Sequence, residues 1–549
     1  MNERAEAERR VTQTSRARIN TALLGGSCKR LYTHSLDSDG PPAAVQSPDD
    51  PSTLLTDPHQ VKEATVRYFA SLFSRTLRSP SQKPWMATPT ITRIREQTAA
   101  NPFIWPKFLT LADLRALLRK GNPRPSPPPI SGRNGITCSN LIKNLPFAWL
   151  NQLLAPYVAQ HGILPETQVA TQPGVQARDL VSFLAQVDAY AHRRKQPLFV
   201  LRRDQRKGFD RLEPQGFYDA VRAYGLPDAL IELDRSAQDQ VPYQVKTAYG
   251  LTAPFTVSGV TQQGGPFSPL KSTLTTSMVN HWLHDVLAPE DCLTFMSHQG
   301  ALGKPHTPDD RLCLRVQMVE AMDDSILLMP TLASLQSAAL HADRFQATYG
   351  WETNWSKSLL YVTQSHAAPA TATMPAVNPT DPDSPNVTFH PVPVTTDFFD
   401  FLRVQVNDPD AQRDKIRHLI STFSFPHLPT RLPLTALRRI LSSCLISQLR
   451  PYLSYQPIAR TSALNLDHLI AHHVHEYLGF PFHFHSQLLF APLSHLGFDF
   501  RSLSHLNDAA AIQGLLRDLN SHVPTFRTMA RITLADWTCM LNKCRSPLE

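Results

Sequence analysis

The stretch Val319-Glu320-Ala321-Met322-Asp323-Asp324-Ser325-Ile326-Leu327-Leu328-Met329 constrains the fold more than any other part of the chain. Two apolar runs flanking an acidic pair read as a strand, a tight turn and a second strand. Asp favours turns, so the pair taken alone is an ordinary solvated turn. A third carboxylate changes the weighing. Residues 198–201 are strand-like and run into Asp204 within Leu201-Arg202-Arg203-Asp204-Gln205-Arg206-Lys207-Gly208-Phe209-Asp210. An acid at the end of a buried strand is costly unless something positive binds it. The alternative to the plain turn is that Asp204, Asp323 and Asp324 converge on two Mg²⁺ ions. Such hard cations take carboxylate oxygens and act in pairs in in-line phosphoryl displacement.

Proline sets the connections. The 549 residues include 47 prolines and only 21 glycines, against a usual proline share of about 5%. Asp57-Pro58 supplies an N-cap and a first-turn proline, and Val61, Thr65, Tyr68 and Leu72 share one face, which predicts a helix over about 58–74. Thr110, Asp113, Leu114, Leu117 and Leu118 predict another that stops at Gly121. The text NPRPSPPP over 122–129 predicts a loop. A helix follows Pro214 through Phe217, Val221 and Tyr224. Residues 366–396 hold seven prolines among Ala, Thr and Asp, which predicts a linker or long irregular loop. Helical patterns return around 410–423, 434–449 and 508–520. The expected organisation is a flexible basic N-terminus over 1–55, a helical connector over 56–130, a globular part over 131–365, the proline-rich linker over 366–396 and a helical region over 397–549.

Apolar residues make up 42% and charged residues 18%, which excludes a wholly disordered or collagen-like chain. The net charge of +8 leans weakly toward a polyanionic partner. Seven scattered cysteines give no disulfide framework and suit a reducing, intracellular setting. No run reaches the roughly 18 apolar residues of a membrane span, and the Arg-rich start lacks a signal-peptide core. His468, His472, His473, His475, His483 and His485 cluster without an acidic or thiolate companion at metal spacing and read as ordinary histidines. Cys539 and Cys544 lack a second ligand pair for a zinc knuckle.

Two further segments bear on the acidic triad. Gln262-Gln263-Gly264-Gly265-Pro266-Phe267-Ser268-Pro269 puts paired glycines before a predicted helix, where backbone can approach a ligand closely. Gly350-Trp351-Glu352-Thr353-Asn354-Trp355-Ser356-Lys357 places a turn and a lysine about thirty residues past the aspartates. In this order the segments resemble the reverse-transcriptase palm of non-LTR (LINE-type) retrotransposons, most closely the retroelement-derived reading frames of fungal genomes. Asp204 with Phe209 and Asp210 is similar to the family's Asp followed by Ala/Gly-Phe-Asp, and 263–269 to its Gln-Gly-x-Pro-x-Ser-Pro. Ala321-Met322-Asp323-Asp324 stands where the family usually has Tyr-Ala-Asp-Asp. Residues 350–357 resemble its Gly-x-x-x-Asn-x-x-Lys. The match covers about 55–365.

The resemblance implies an α+β right-hand polymerase, with fingers and palm of reverse-transcriptase type and a mainly helical thumb-like C-terminal region. It implies RNA-directed DNA synthesis on an RNA or DNA template with primer and deoxynucleoside triphosphates, using two Mg²⁺ ions or Mn²⁺. Asp204, Asp323 and Asp324 would hold the metals, Phe209 would lie under the nucleotide sugar, Gln263 and Gly264 would line the template and nucleotide side, and Lys357 would give a proton or bind phosphate. Arg202, Arg203, Arg206 and Lys207 read as phosphate-tracking or surface charges. The fingers look shortened, because Gln168 follows Gly135 by 33 positions with Lys143 the only lysine or arginine between them. Impaired activity is the expectation. An inactive nucleic-acid-binding descendant and a protein-interaction scaffold are the two other classes.

Overall fold

The computed structural model describes residues 44–50, 52–73, 82–105, 138–206, 208–238, 242–256, 261, 265–297, 312–322, 324–402, 404–406, 408–426, 432–481 and 485–540. The predicted helix at 110–121 and the loop at 122–129 lie outside them. The chain divides into two compact units. The larger takes in Gly40–Leu180, Gln186–Asp397 and Val523–Glu549, and the smaller includes Val181–Ala185 and Phe398–His522.

The larger unit is mixed α+β. Its strands include β1 (Phe199–Arg203), β2 (Met318–Ala321), β3 (Asp324–Met329), β4 (Leu359–Val362), and three from the proline-rich text, β5 (Ala372–Ala376), β6 (Thr388–Val392) and β7 (Val394–Thr395). Five of these join in the order β2-β3-β1-β4-β7. All neighbours are antiparallel except β4 and β7. Only Met322 and Asp323 link the paired Ala321 and Asp324, so the predicted strand–turn–strand is a two-residue hairpin. Met322 takes φ 64°, the left-handed geometry that tight hairpins demand.

Helices α1 (Pro58–Phe73) and α2 (Pro89–Ala100) precede the sheet. Asp57 Oδ1 accepts the amides of His59 and Gln60, and Thr88 Oγ1 accepts that of Ile91. Such caps contribute about 1 kcal/mol each. Next come α3 (Cys138–Gln160), α4 (Ala177–Arg194), α5 (Pro214–Ala223), α6 (Ala229–Gln238), α7 (Ser268–Val286) and α8 (Leu332–Thr348). One continuous core unites Leu154 of α3, Phe217 of α5, Leu274 and Met278 of α7, and Ala338 and Phe345 of α8 with Leu201, Leu327 and Leu360 of the sheet. Helix α7 is buried along most of its length although it is rich in Ser and Thr. The hydroxyls make this tolerable by turning back on their own helix: Thr275 donates to the Lys271 carbonyl and Ser277 to that of Thr273.

Two expected boundaries are corrected. The 366–396 stretch is no linker. Strands β5 and β6 pair from Ala372↔Val392 to Ala376↔Thr388, and Ala372, Met374, Ala376 and Val392 are buried in the main core. Prolines fit because a two-stranded hairpin offers edge positions that need no amide donor. The helical C-terminal region also ends earlier than 549. Residues from Val523 onward belong to the larger unit.

The smaller unit is helical apart from a hairpin of Phe399–Phe401 with Val404–Val406. It contains α9 (Pro409–Ser421), α10 (Leu434–Ile440), α11 (Ser447–Tyr455), α12 (Arg460–Leu478) and α13 (Leu503–Leu519), with a π-helical turn at Leu441–Ile446 joining α10 to α11. Its own core gathers Ile416, Ile420, Leu437, Leu449, Leu466, Ile470 and Leu503. The final helix α14 (Pro524–Met540) carries Thr525, whose amide and hydroxyl donate to Glu166, and Asp536, which pairs with Arg193 and Arg194. No helix of the described residues is long and apolar enough to cross a membrane.

Candidate active site

Strand β1 ends at Arg203, and Asp204 is the next residue. On the neighbouring strand β3, Ser325 pairs with Arg203. That is the last pair of the ladder, so Asp204 and Asp324 each lie one residue past it at the same end of the two strands. Arg203 and Ser325 are each 1% exposed, so strand alternation turns Asp204 and Asp324 to the opposite face. Both aspartates are half-buried.

The Asp204 backbone is fixed on both sides. Its amide donates to Ser358 Oγ at 3.3 Å, and its carbonyl accepts the Asn354 amide at 2.7 Å. Its carboxylate meets no donor or cation among the described residues. Asp323 lies outside them, as do Gln263 and Gly264. Phe209 and Asp210 fall in a helical turn, Gly208–Arg211, with their side chains undescribed. Lys357 is exposed and lies two residues ahead of β4, and its carbonyl accepts from Arg202 Nη2 at 2.9 Å. The structure thus places Asp204 and Asp324 at the same end of the β1–β3 ladder, with the Lys357 backbone beside β1. Among the described residues no group of three or more His, Cys, Asp or Glu is placed to hold a metal, the histidines of α12 included.

Several polar residues behind the acidic edge escaped the sequence reading. Arg203 is not a surface charge. Its Nη2 donates to Gln346 Oε1 at 2.6 Å and to Thr353 Oγ1 at 3.0 Å, with Asp343 Oδ1 at 3.9 Å. The signal was there: Arg203 stands two residues after the buried Leu201 and shares its inward face. Arg206 does remain at the surface, beside Glu352. Glu320 on β2 faces Ser325 across the ladder and is 1% exposed. Asn280 of α7 donates to its carboxyl at 3.1 Å. Burial pushes that carboxyl up to about 8, against the opposing pull of Asn280 and Arg203. Below the Pro266-Phe267-Ser268 text, Lys271 of α7 pairs with Asp234 of α6 at 2.5 Å, both nearly inaccessible.

No family model matches the chain. Over 196 residues it is 26% identical to the transposon TX1 uncharacterized 149 kDa protein of Xenopus laevis, a stretch that is 36% of this chain and 14% of that protein. The chain therefore spans a small part of the length of this relative. A telomerase from Candida tropicalis in complex with a telomeric RNA fragment aligns with TM-score 0.33 and 12% identity over 70% of this chain and 56% of its own. The RNA-dependent RNA polymerase of a human picobirnavirus gives TM-score 0.33 and 12% identity over 84% of each chain. Superpositions this loose carry no weight for fold or function. What stands is a mixed α+β chain with a distant, low-identity resemblance to a transposon-encoded protein.

Proposed function

We propose that this chain is the RNA-directed DNA polymerase (reverse-transcriptase) domain of a non-LTR retroelement, with slow or absent synthesis in this copy. The observation that carries the reading is that Asp204, the residue after β1, and Asp324, the first residue of β3, lie at the same end of the antiparallel β1–β3 ladder, each one residue past its last pair, Arg203 with Ser325. The 26% identity to a transposon-encoded protein supports the retroelement origin. The donor set fits Mg²⁺: a half-buried carboxylate that no cation of the described residues neutralises is what a hard divalent ion takes. Bound there, such ions would lower the charge barrier to attack on a triphosphate. Asp204, Asp323 and Asp324 would hold them, and the Asp204 backbone is tied to Asn354 and Ser358. Phe209, Gln263, Gly264 and Lys357 would serve the nucleotide and template side. RNA or DNA template with primer and deoxynucleoside triphosphates would be the substrates.

A second reading, an inactive descendant that still binds nucleic acid, is favoured by one feature. Between Gly135 and Gln168 the chain offers Lys143 alone to a triphosphate, and charge stabilisation is most of what an enzyme contributes to phosphoryl transfer. Primer extension on an RNA template with Mg²⁺ or Mn²⁺ decides between the two. Extension that disappears in Asp324→Asn supports the polymerase. Salt-dependent primer-template binding without extension supports the descendant. No binding at low salt eliminates both and leaves a protein-interaction role.

A further inference from the structure

Residues 352–358 run alongside 203–206 as a clamp. Gln205 and Thr353 form an isolated antiparallel bridge, the Arg206 amide donates to the Glu352 carbonyl at 2.9 Å, and Asn354 and Ser358 hold the Asp204 backbone. Behind this clamp lies a closed polar cluster of Arg203, Asp343, Gln346 and Thr353, each at most 6% exposed. The Thr353 hydroxyl is its centre. It stands 3.0 Å from Asp343 Oδ1, 3.0 Å from Gln346 Oε1 and 3.0 Å from Arg203 Nη2. Arg203 Nε and Nη1 are buried with no partner, so among the described residues the guanidinium is held through Nη2 alone. Its two acceptors are Thr353 and Gln346.

A buried arginine needs acceptors in a fixed geometry, and losing one leaves a desolvated donor free to drag its strand. Arg203 is covalently next to Asp204, and Thr353 is next to Asn354, which grips the Asp204 carbonyl. The hydroxyl therefore joins both ends of the clamp to α8, which carries Asp343 and Gln346. A valine would fill the same volume and could make none of these bonds.

We propose that Thr353 is a positioning residue for Asp204: through Arg203, Asp343 and Gln346 it fixes the end of β1 so that the Asp204 carboxylate stays in line with Asp324. The inference rests on the metal-site reading given under Proposed function. Residues behind a metal ligand typically tune affinity by about 10–100-fold, and the lower end applies to a group acting through backbone.

The test is Mn²⁺ binding to the free, full-length protein, read by loss of the free-ion electron paramagnetic resonance signal, in wild type, Thr353→Val, Thr353→Ser and Asp204→Asn. Urea midpoints and primer-template affinity are measured beside it. The expected result is a Kd for Mn²⁺ raised roughly tenfold in Thr353→Val, restored to near wild type in Thr353→Ser, with primer-template affinity unchanged. A Thr353→Val protein that binds Mn²⁺ like wild type while Asp204→Asn binds weakly overturns the positioning role and leaves the metal site standing. An Asp204→Asn protein with wild-type Mn²⁺ affinity removes the metal site itself, and the role of Thr353 with it. Should Thr353→Val fail to fold, Gln346→Met removes the other Arg203 acceptor at similar volume, and wild-type Mn²⁺ affinity there overturns the proposal in the same way.

Discussion

Replacing Glu320 with Gln should make the larger unit less sensitive to alkaline pH, by an amount that follows from the burial of one carboxyl. Glu320 is 1% exposed between β3 and α7 and accepts one hydrogen bond from Asn280. Burial raises its pKa from 4.5 to about 8, so between those values the folded chain keeps a proton that the unfolded chain gives up. Stability contributed by this group is therefore greatest below pH 4.5 and is lost as pH rises toward 8. Each unit of difference corresponds to about 1.4 kcal/mol. Integrating the linkage across the window gives a loss of about 1 kcal/mol by pH 5 and about 4 kcal/mol by pH 8. Glutamine copies the protonated carboxyl in shape and accepts the same Asn280 bond without a proton to lose. Urea unfolding by tryptophan fluorescence is the assay. All seven tryptophans lie in the segments of the larger unit, so the signal reports on the unit that holds Glu320. The advantage of Glu320→Gln over wild type should grow steeply from pH 5 to pH 8. An advantage that stays constant across that range would refute the reasoning, because it would mean Glu320 is ionised in the folded state or exposed to water.

Three other perturbations probe the same packing. Lys271→Met or Asp234→Asn alone should each cost about 3–5 kcal/mol by leaving its partner charged and buried, whereas the joint change Lys271→Met with Asp234→Leu should be near neutral; single variants that lose less than ~1 kcal/mol in urea unfolding would show that water reaches the pair. Met374→Ala should cost about 2–5 kcal/mol, because Met374 is fully buried on β5, and limited proteolysis should spare 366–396 as long as it spares the sheet. Early cutting there would return the segment to a linker. Met322→Gly should raise the urea midpoint, since relieving a left-handed non-glycine residue is worth about 1 kcal/mol; an unchanged or lower midpoint would mean that the Met322 side chain contributes packing of similar size.

The parts of the fold that were legible in the sequence are those whose cause is local. The β2–β3 hairpin is written in two apolar runs around an acidic pair, and the start of α1 in Asp57-Pro58, because turn and cap chemistry acts over four residues. Elements whose partners are remote were not. Nothing near Asp536 announces that its helix returns to meet Arg193 and Arg194, residues 343 and 342 positions away. The β5–β6 hairpin was hidden by its own composition. Seven prolines drew the reading toward a linker, while the alternation Ala372, Met374, Ala376 that buries this strand carries only one large side chain.

Charge misled where alternation would have spoken. Arg202, Arg203 and Arg206 look alike as a basic run, yet Arg203 shares one face of β1 with Phe199 and Leu201 of the main core, and that parity separates it from Arg202. The same parity separates Ser325 and Glu320, which face inward, from Asp324, which does not. Read this way, the acidic edge and the polar cluster behind it are two faces of one short stretch of sheet. Glu320, Ser325 and Arg203 occupy one transverse row across β2, β3 and β1, and Ala321 pairs with Asp324 in the next, at the end where Asp204 follows β1. A row of buried polar groups is a poor way to stabilise a sheet, since well-packed apolar residues of the same volume do as well or better. Its placement next to Asp204 and Asp324 in the chain ties the ends of β1 and β2 to hydrogen bonds made behind the acidic edge, through Arg203 to Gln346 and Thr353 and through Glu320 to Asn280. The last residue of β1, Arg203, is thereby fastened to Gln346 of α8, and Glu320, next to the end of β2, to Asn280 of α7.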